Sequence, residues 1–219
     1  MSAGTAAKNG HADRLDPVAW PRRGSPWRDS SRPASLDRRR AEHAAREMLD
    51  ALGIDVESES IRETPRRMVG VLEELLSAES FNPTTFPNDA GYDELVVARG
   101  IPFHSLCEHH VLPFSGVAYV GYLPGERIVG LSKLGRVVEY FARDLQLQER
   151  LTTQVADWLE RTLAPRGVGV VLEAEHLCMS LRGVQKLGAR TVTSALRGLV
   201  RDDPRTRQEF LALATRTGP

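Results

Sequence analysis

The sequence predicts an α+β fold in which a pair of antiparallel helices covers one face of an antiparallel sheet. From residue 95, strand-like and helix-like segments follow one another in the order strand, strand, helix, helix, strand, strand. The two long helices therefore lie between two hairpin-like strand pairs. The chain has 219 residues, of which 41% are hydrophobic and 26% charged, as expected for a soluble protein with one full core plus extensions.

The N-terminus, residues 1–35, is predicted to be a disordered basic tail. Residues 1–40 carry nine Lys and Arg against four Asp and Glu, in a mixture of Arg, Pro, Ser and Gly without hydrophobic periodicity. The remaining residues carry 20 basic and 25 acidic groups, so the net charge gives no sign of nucleic-acid binding. An anionic substrate would have to be met by a local cluster of cations.

Two helices are predicted ahead of the sheet. Ser35 can cap a first helix that runs to about Leu52. Thr64 is expected to be the N-cap of a second helix, with Pro65 in its first turn. A loop rich in Asn, Pro, Asp and Gly follows at residues 81–92.

Three extended segments come next. The first spans residues 95–103 and is broken near Gly100. The second spans residues 116–122, and a turn at 124–127 leads into a third extended segment at 128–131.

The second half of the core begins with helices. Ser132 is expected to cap the first of them, and the second is predicted at residues 148–163. Two more strands are predicted at residues 168–174 and 191–196. Asp203-Pro204 then opens a short C-terminal helix.

Both cysteines of the chain stand beside histidines, in Cys-Glu-His-His at residues 107–110 and His-Leu-Cys at residues 176–178. Cys107, His110 and Cys178 would supply two sulfurs and one nitrogen, a donor set that suits zinc. Three protein ligands leave the fourth tetrahedral position free for water, which is the arrangement of a catalytic site.

Two other interpretations of the cysteines stay open at this point, a disulfide and two unrelated buried thiols. The N-terminus lacks an apolar leader and no stretch suggests a membrane span, so we expect a cytoplasmic protein, in which disulfides are rare. Iron or manganese is an alternative to zinc, although thiolates favour zinc.

Nine short motifs, in order and at consistent spacing, resemble the GTP cyclohydrolase I family from about Leu36 to Leu213. They are Cys-Glu-His-His-x-x-Pro-Phe-x-Gly (107–116), Gly-Tyr-Leu-Pro (121–124), Gly-Leu-Ser-Lys-Leu-x-Arg (130–136), Gln-x-Gln-Glu-Arg-Leu-Thr (146–152), Gly-Val-Gly-Val-Val (167–171), His-x-Cys-Met (176–179), Arg-Gly-Val-Gln (182–185), Thr-Val-Thr-Ser (191–194) and Asp-Pro-Arg-Thr-Arg-x-Glu-Phe (203–210). Several motifs together are far more specific than any one of them.

The resemblance implies the tunnelling fold (T-fold) and a ring-forming homo-oligomer, usually a decamer of two facing pentamers with active sites at subunit interfaces. It implies no nucleic-acid or membrane partner. The implied reaction is the zinc-dependent hydrolysis of GTP to 7,8-dihydroneopterin triphosphate and formate. The implied division of the chain is a basic tail (1–35), an N-terminal helical region (36–90), a T-fold catalytic domain (91–215) and a C-terminal tail (216–219).

The resemblance also implies roles for the clustered residues. Zinc held by Cys107, His110 and Cys178 would lower the pKa of a bound water towards about 7, for attack on guanine C8. His109 resembles the acid that protonates the purine ring as it opens. His176 resembles the histidine that serves the later ring opening, formate release and ribose rearrangement. The alternative for His109 is a core or surface histidine without a catalytic role.

Glu149 resembles the carboxylate that accepts hydrogen bonds from guanine N1 and the exocyclic amine, a donor pair that adenine lacks. Its alternative role is to complement a helix dipole. Gln148 and the backbone amides of residues 129–131 are expected to assist. The matched triphosphate contacts are Ser132, Lys133, Arg136, Arg182 and, from a neighbouring subunit, Arg67.

Three glycines depart from the family pattern. Gly70 stands where Lys or Arg is common near the phosphates, and Gly100 replaces an acidic residue. Gly135 replaces an alanine inside a helix, at a cost of roughly 1 kcal/mol in helix stability.

Several functions remain as alternatives. A non-catalytic paralogue would bind zinc and GTP as a regulator or assembly partner, but the intact cysteines and histidines argue against it. A relative acting on another pterin or purine is a further alternative. The product would enter either tetrahydrofolate and pterin synthesis or a 7-deazapurine pathway.

Overall fold

The structure, a computed structural model, describes residues 37–215, so the two predicted tails lie outside the described residues. In this range the helices are α1 Arg38–Ala51, α2 Thr64–Leu76, α3 Leu131–Ala142, α4 Gln148–Leu163, α5 Leu177–Ser180, α6 Leu199–Asp202 and α7 Pro204–Thr215. The strands are β1 Thr85–Pro87, β2 Val96–Cys107, β3 Pro113–Leu123, β4 Arg127–Val129, β5 Leu145–Gln146, β6 Gly167–His176 and β7 Arg190–Gly198. None of these helices has the length and apolar character that a membrane span requires.

The N-terminal helices are confirmed, but both predicted caps are wrong. The N-cap of α1 is Asp37, whose carboxylate accepts a hydrogen bond from the Arg40 amide, whereas Ser35 lies outside the described residues. The N-cap of α2 is Glu63, so Thr64 is the first helical residue and Pro65 lies directly behind it. Asp is as good a cap as Ser, and pattern alone places a helix start only to within a few residues.

The sheet has the strand order β5-β2-β3-β6-β7. The four long strands β2, β3, β6 and β7 each pair antiparallel with the next one along the chain, as predicted. Each is longer than the sequence indicated. Two-residue β5 adds a parallel edge beside the end of β2. Strand β1 lies in the predicted loop and pairs with β4 to form a separate small sheet. Strand β1 is too short to show a period-two pattern in the sequence.

The break predicted near Gly100 is a β-bulge. Gly100 has φ +65°, in the left-handed region that favours glycine, and the β2–β3 register shifts between Ala98 and Ile101. The departure from the family's acidic residue therefore has a local conformational reason.

Helices α3 and α4 cover one face of the sheet. Their apolar residues and those of the central strands form a single buried cluster that includes Leu134, Phe141, Leu151, Leu159 and Val170. The predicted cap of α3 is wrong, because its N-cap is Gly130 and Ser132 is the second residue of the helix.

Helix α7 covers part of the opposite face of the sheet. Phe210 of α7 is fully buried in a second cluster with Leu123 and Val171, and its ring lies over Gly121 and Gly169. Residues that alternate along a strand point to opposite faces, so these positions face away from α3 and α4. The prediction of helices on one face therefore misses α7, which packs across the other.

Candidate metal centre and active site

The first half of the site is a tight turn at the end of β2. Cys107 is the last residue of this strand and is buried. Its amide donates to Leu112 O at 2.9 Å, and its carbonyl accepts from the Val111 amide at 2.8 Å. Val111 has φ +54°, which is strained for a β-branched residue. The turn places His109 and His110 directly beside Cys107.

The second half of the site lies where β6 ends and α5 begins. The β3–β6 register puts Phe114 opposite His176, and their rings stack with centroids 4.4 Å apart and planes 3° apart. Cys178 follows in α5, and its Sγ lies 4.0 Å from Cys107 Sγ. Both cysteines are free thiols, and their sulfur atoms are about twice a disulfide bond length apart. This separation contradicts the disulfide alternative.

Three donors converge at this point. One ligand atom each from Cys107, His110 and Cys178 can be chosen so that all lie within 4.8 Å of one another. His109 Nδ1 also approaches Cys107 Sγ, at 3.9 Å, but His109 is not a member of this group. Two thiols and an imidazole are a soft donor set that fits zinc.

The thiols must lose protons when a metal binds. Burial raises the pKa of the Cys178 thiol, and the neighbouring Cys107 raises it further, while Arg182 opposes them weakly. A cation between the two sulfurs would supply the positive charge that this pair lacks.

His176 lies on the side of the cluster that faces α4. Its Nε2 is 2.8 Å from Oε1 of Gln148, the first residue of α4. Burial lowers the pKa of His176, and the Glu149 carboxylate partly offsets this shift. The lowered pKa favours the neutral imidazole, which can accept a proton. The structure thus brings Glu149, Gln148 and His176 together beside Cys178.

An ion pair that sequence reasoning missed ties the metal-binding turn to α4. Arg150 donates to the Glu108 carboxylate at 2.7 Å, to Leu145 O at 2.6 Å and to Gln146 Oε1 at 3.0 Å. Glu108 and Arg150 are 21% and 16% exposed, so the pair is shielded from solvent. Both residues stand inside motifs that resemble the family, but nothing local relates positions 42 residues apart.

We expect Arg150→Met to weaken zinc binding by about 10- to 100-fold, because the turn that carries Cys107 and His110 loses its anchor. The measurement is a competition titration against a chromophoric chelator. Arg197→Met is the matched control, since Arg197 makes a similarly shielded bond to Asp157 at 2.9 Å away from the site. Equal zinc affinity in the two variants would contradict an anchoring role.

The predicted phosphate contacts fall into two groups. Arg182 lies in the site, with Nη1 3.2 Å from His110 Nε2. Ser132 and Arg136 instead line a cavity of about 460 Å³ beside residues 101–104 of β2. Lys133 lies between them in α3 and is partly buried.

Two further predicted contacts have partners inside the subunit. Arg67 bonds within its own helical region, to Ser60 O at 3.2 Å. Of the backbone amides at 129–131, that of Val129 donates to the Tyr122 hydroxyl at 3.2 Å and that of Gly130 to Thr84 O at 3.1 Å.

Comparison with known proteins agrees with this geometry. The profile of the GTP cyclohydrolase I family matches residues 41–215. GTP cyclohydrolase 1 of Aquifex aeolicus is 49% identical over 179 residues, covering 82% of this chain and 97% of that protein. GTP cyclohydrolase 1 of Streptomyces avermitilis is 52% identical over 185 residues, covering 81% of this chain and 90% of that protein.

A looser similarity is to the crystal structure of the archaeosine synthase QueF-Like in the apo form. It has a TM-score of 0.38 and 17% identity, and covers 48% of this chain and 93% of that chain. The residues matched by the family profile include both halves of the cysteine and histidine cluster. The chain therefore belongs to the GTP cyclohydrolase I family of enzymes.

Proposed function

We propose that the protein hydrolyses GTP to 7,8-dihydroneopterin triphosphate and formate, with zinc as cofactor. The observation that carries the proposal is the convergence of the Cys107, His110 and Cys178 donors with His176 and Glu149 in one site. The near-50% identity to proteins named GTP cyclohydrolase 1 supports the same reaction.

In this proposal Cys107, His110 and Cys178 hold the zinc, which supplies Lewis-acid activation of water when bound. His109, on the exposed turn beside Cys107, donates a proton to the purine ring as it opens. His176 exchanges protons in the later ring opening and ribose rearrangement.

Substrate recognition is assigned by charge. Glu149 is exposed in the first turn of α4, where its carboxylate can accept from guanine N1 and the exocyclic amine. Arg182 is an exposed cation beside the metal donors, suited to the triphosphate. The remaining proposed phosphate contacts are Ser132, Lys133, Arg136 and Arg67.

We further propose the T-fold and a ring of subunits, usually a decamer, with active sites shared between neighbours. The cavity beside Ser132 and Arg136 is lined by residues 101–104 of β2, and the nearest of these to the metal donors, His104, stands roughly 10 Å along the strand from Cys107. Among residues 37–215, the lining of this cavity includes none of the metal donors, and in this proposal a second copy of the chain supplies them.

The two edges of the sheet support a ring. On one edge β5 pairs only with residues 106 and 107 of β2, and on the other β7 has no further partner among residues 37–215. Leu187 and Val192, beside and on β7, are 84% and 62% exposed. Joining two different edges is a head-to-tail contact, which closes into a ring when the rotation allows.

The reaction is tested by incubating the purified full-length protein with GTP and zinc, and in parallel with ATP. We expect formate release and growing near-ultraviolet absorbance with GTP only, because adenine offers Glu149 no matching donor pair. Tight GTP binding without formate, in protein fully loaded with zinc, would instead favour the non-catalytic paralogue. Turnover of another pterin or purine in preference to GTP would favour a different substrate.

We propose a cytoplasmic enzyme whose product feeds either tetrahydrofolate and pterin synthesis or a 7-deazapurine pathway. The free thiols at the site agree with a reducing compartment. Fractionation of cells, and growth of a deletion strain with folate-dependent products or with a deazapurine supplied, would separate these outcomes.

A further inference from the structure

The side-chain amide of Gln148 has one orientation that its surroundings permit. Its nitrogen lies 3.2 Å from Leu172 O, 3.0 Å from Thr191 O and 3.1 Å from Thr193 Oγ1. Backbone carbonyls only accept hydrogen bonds, so the group that faces them must be the NH2. The amide oxygen is therefore the atom that faces His176.

His176 must consequently donate in this pair. The amide oxygen of Gln148 cannot donate, so the hydrogen in the 2.8 Å contact belongs to His176 Nε2. A neutral imidazole carries one hydrogen, which leaves the lone pair on Nδ1. The ring stacked on Phe114 keeps the imidazole plane fixed. Among residues 37–215, no hydrogen bond to Nδ1 competes for that lone pair.

We propose that Gln148 is a positioning residue that holds His176 in the Nε2-protonated tautomer, so that His176 exchanges protons with substrate through Nδ1. Gln148 is 2% exposed, and both its amide nitrogen and its amide oxygen are already bonded inside the fold. This positioning role therefore replaces the expectation from the sequence that Gln148 contacts guanine. The inference rests on the proposed function for the identity of the step, whereas the tautomer does not depend on substrate.

The tautomer is measured first, on the zinc-loaded, unmutated protein. Uniform 15N labelling of histidine followed by magic-angle-spinning NMR separates protonated from unprotonated ring nitrogens. The signals of His176 are assigned by their loss in His176→Ala. We expect a protonated Nε2 and an unprotonated Nδ1. A hydrogen on Nδ1 in the neutral ring would overturn the proposal.

Kinetics then distinguish positioning from substrate contact. Gln148→Met keeps the length of the side chain but removes the acceptor, and we expect kcat to fall by about 10- to 100-fold with KM for GTP nearly unchanged. In the His176→Ala background the same substitution should change the residual rate of GTP consumption by less than about twofold, because Gln148 acts through His176.

A guanine contact would behave differently. Gln148→Met would then raise KM and reduce the rate by the same factor in both backgrounds, which would overturn the proposal. Thr193→Val is the matched control, since it removes one of the three acceptors around the amide and leaves the His176 bond in place. If the unmutated protein failed to turn over GTP, the proposed function would fail while the NMR result still decided the tautomer.

Discussion

Cys178→Ala is expected to abolish both zinc binding and GTP turnover. The substitution leaves one thiol and one imidazole of the three-donor group, and two donors do not hold zinc against water. Zinc content should fall from one ion per chain to a trace after dialysis. Turnover should drop by roughly 1,000-fold or more, a loss of about 4 kcal/mol of transition-state stabilisation, because activation of water depends on the metal.

The fold should survive this substitution, which makes the result specific. Cys178 is only partly buried on the short helix α5, where it packs against the main buried cluster, and truncating its small side chain leaves no large cavity. Met179→Ala is the matched control, since Met179 is the next residue of α5 and is itself 36% exposed. A Cys178→Ala protein that retained stoichiometric zinc and full turnover would disprove the metal assignment.

Gly116→Ala is expected to destabilise the protein by roughly 3 kcal/mol or more, the upper range for overpacking in a close-packed interior. A Cβ at this position would lie 1.9 Å from Glu173 O and 2.6 Å from Ala174 Cα. These are backbone atoms of the paired strand β6, so no side chain can move aside to relieve the contact. The β3–β6 ladder itself must open at this point.

The Gly116→Ala substitution should also displace residues of the active site. Gly116 pairs with Ala174, two positions along the ladder from the Phe114–His176 pair, so a shift there also moves the stacked rings. Thermal unfolding should show a lower melting temperature together with reduced turnover. Gly135→Ala is the control: a Cβ at Gly135 meets no atom within 4 Å, and in a helix interior alanine should raise stability by about 1 kcal/mol. A Gly116→Ala protein as stable as the unmutated protein would contradict the register.

Local sequence predicts most of the fold and the three donors of the candidate metal centre. Helix α4 was predicted at residues 148–163 and is observed as Gln148–Leu163, because its apolar residues repeat at helical spacing along one face. The same kind of local pattern predicts the long strands, although it makes each of them shorter than observed. The candidate metal donors follow from residue type, since the chain has only two cysteines and both lie beside histidines.

The sequence by itself thus determined element types and which side chains could bind a metal, whereas the tertiary structure alone decided which of them meet. Cys107 and Cys178 are 71 residues apart, and Glu108 and Arg150 are 42 apart. The hydrogen bonds of the Gln148 side chain and the packing of Phe210 over Gly169 likewise depend on strand register and on which helix covers which face. Periodicity records a residue's near neighbours along the chain, but a one-residue slip in register exchanges every contact across a sheet, so only the packed core determines these pairs.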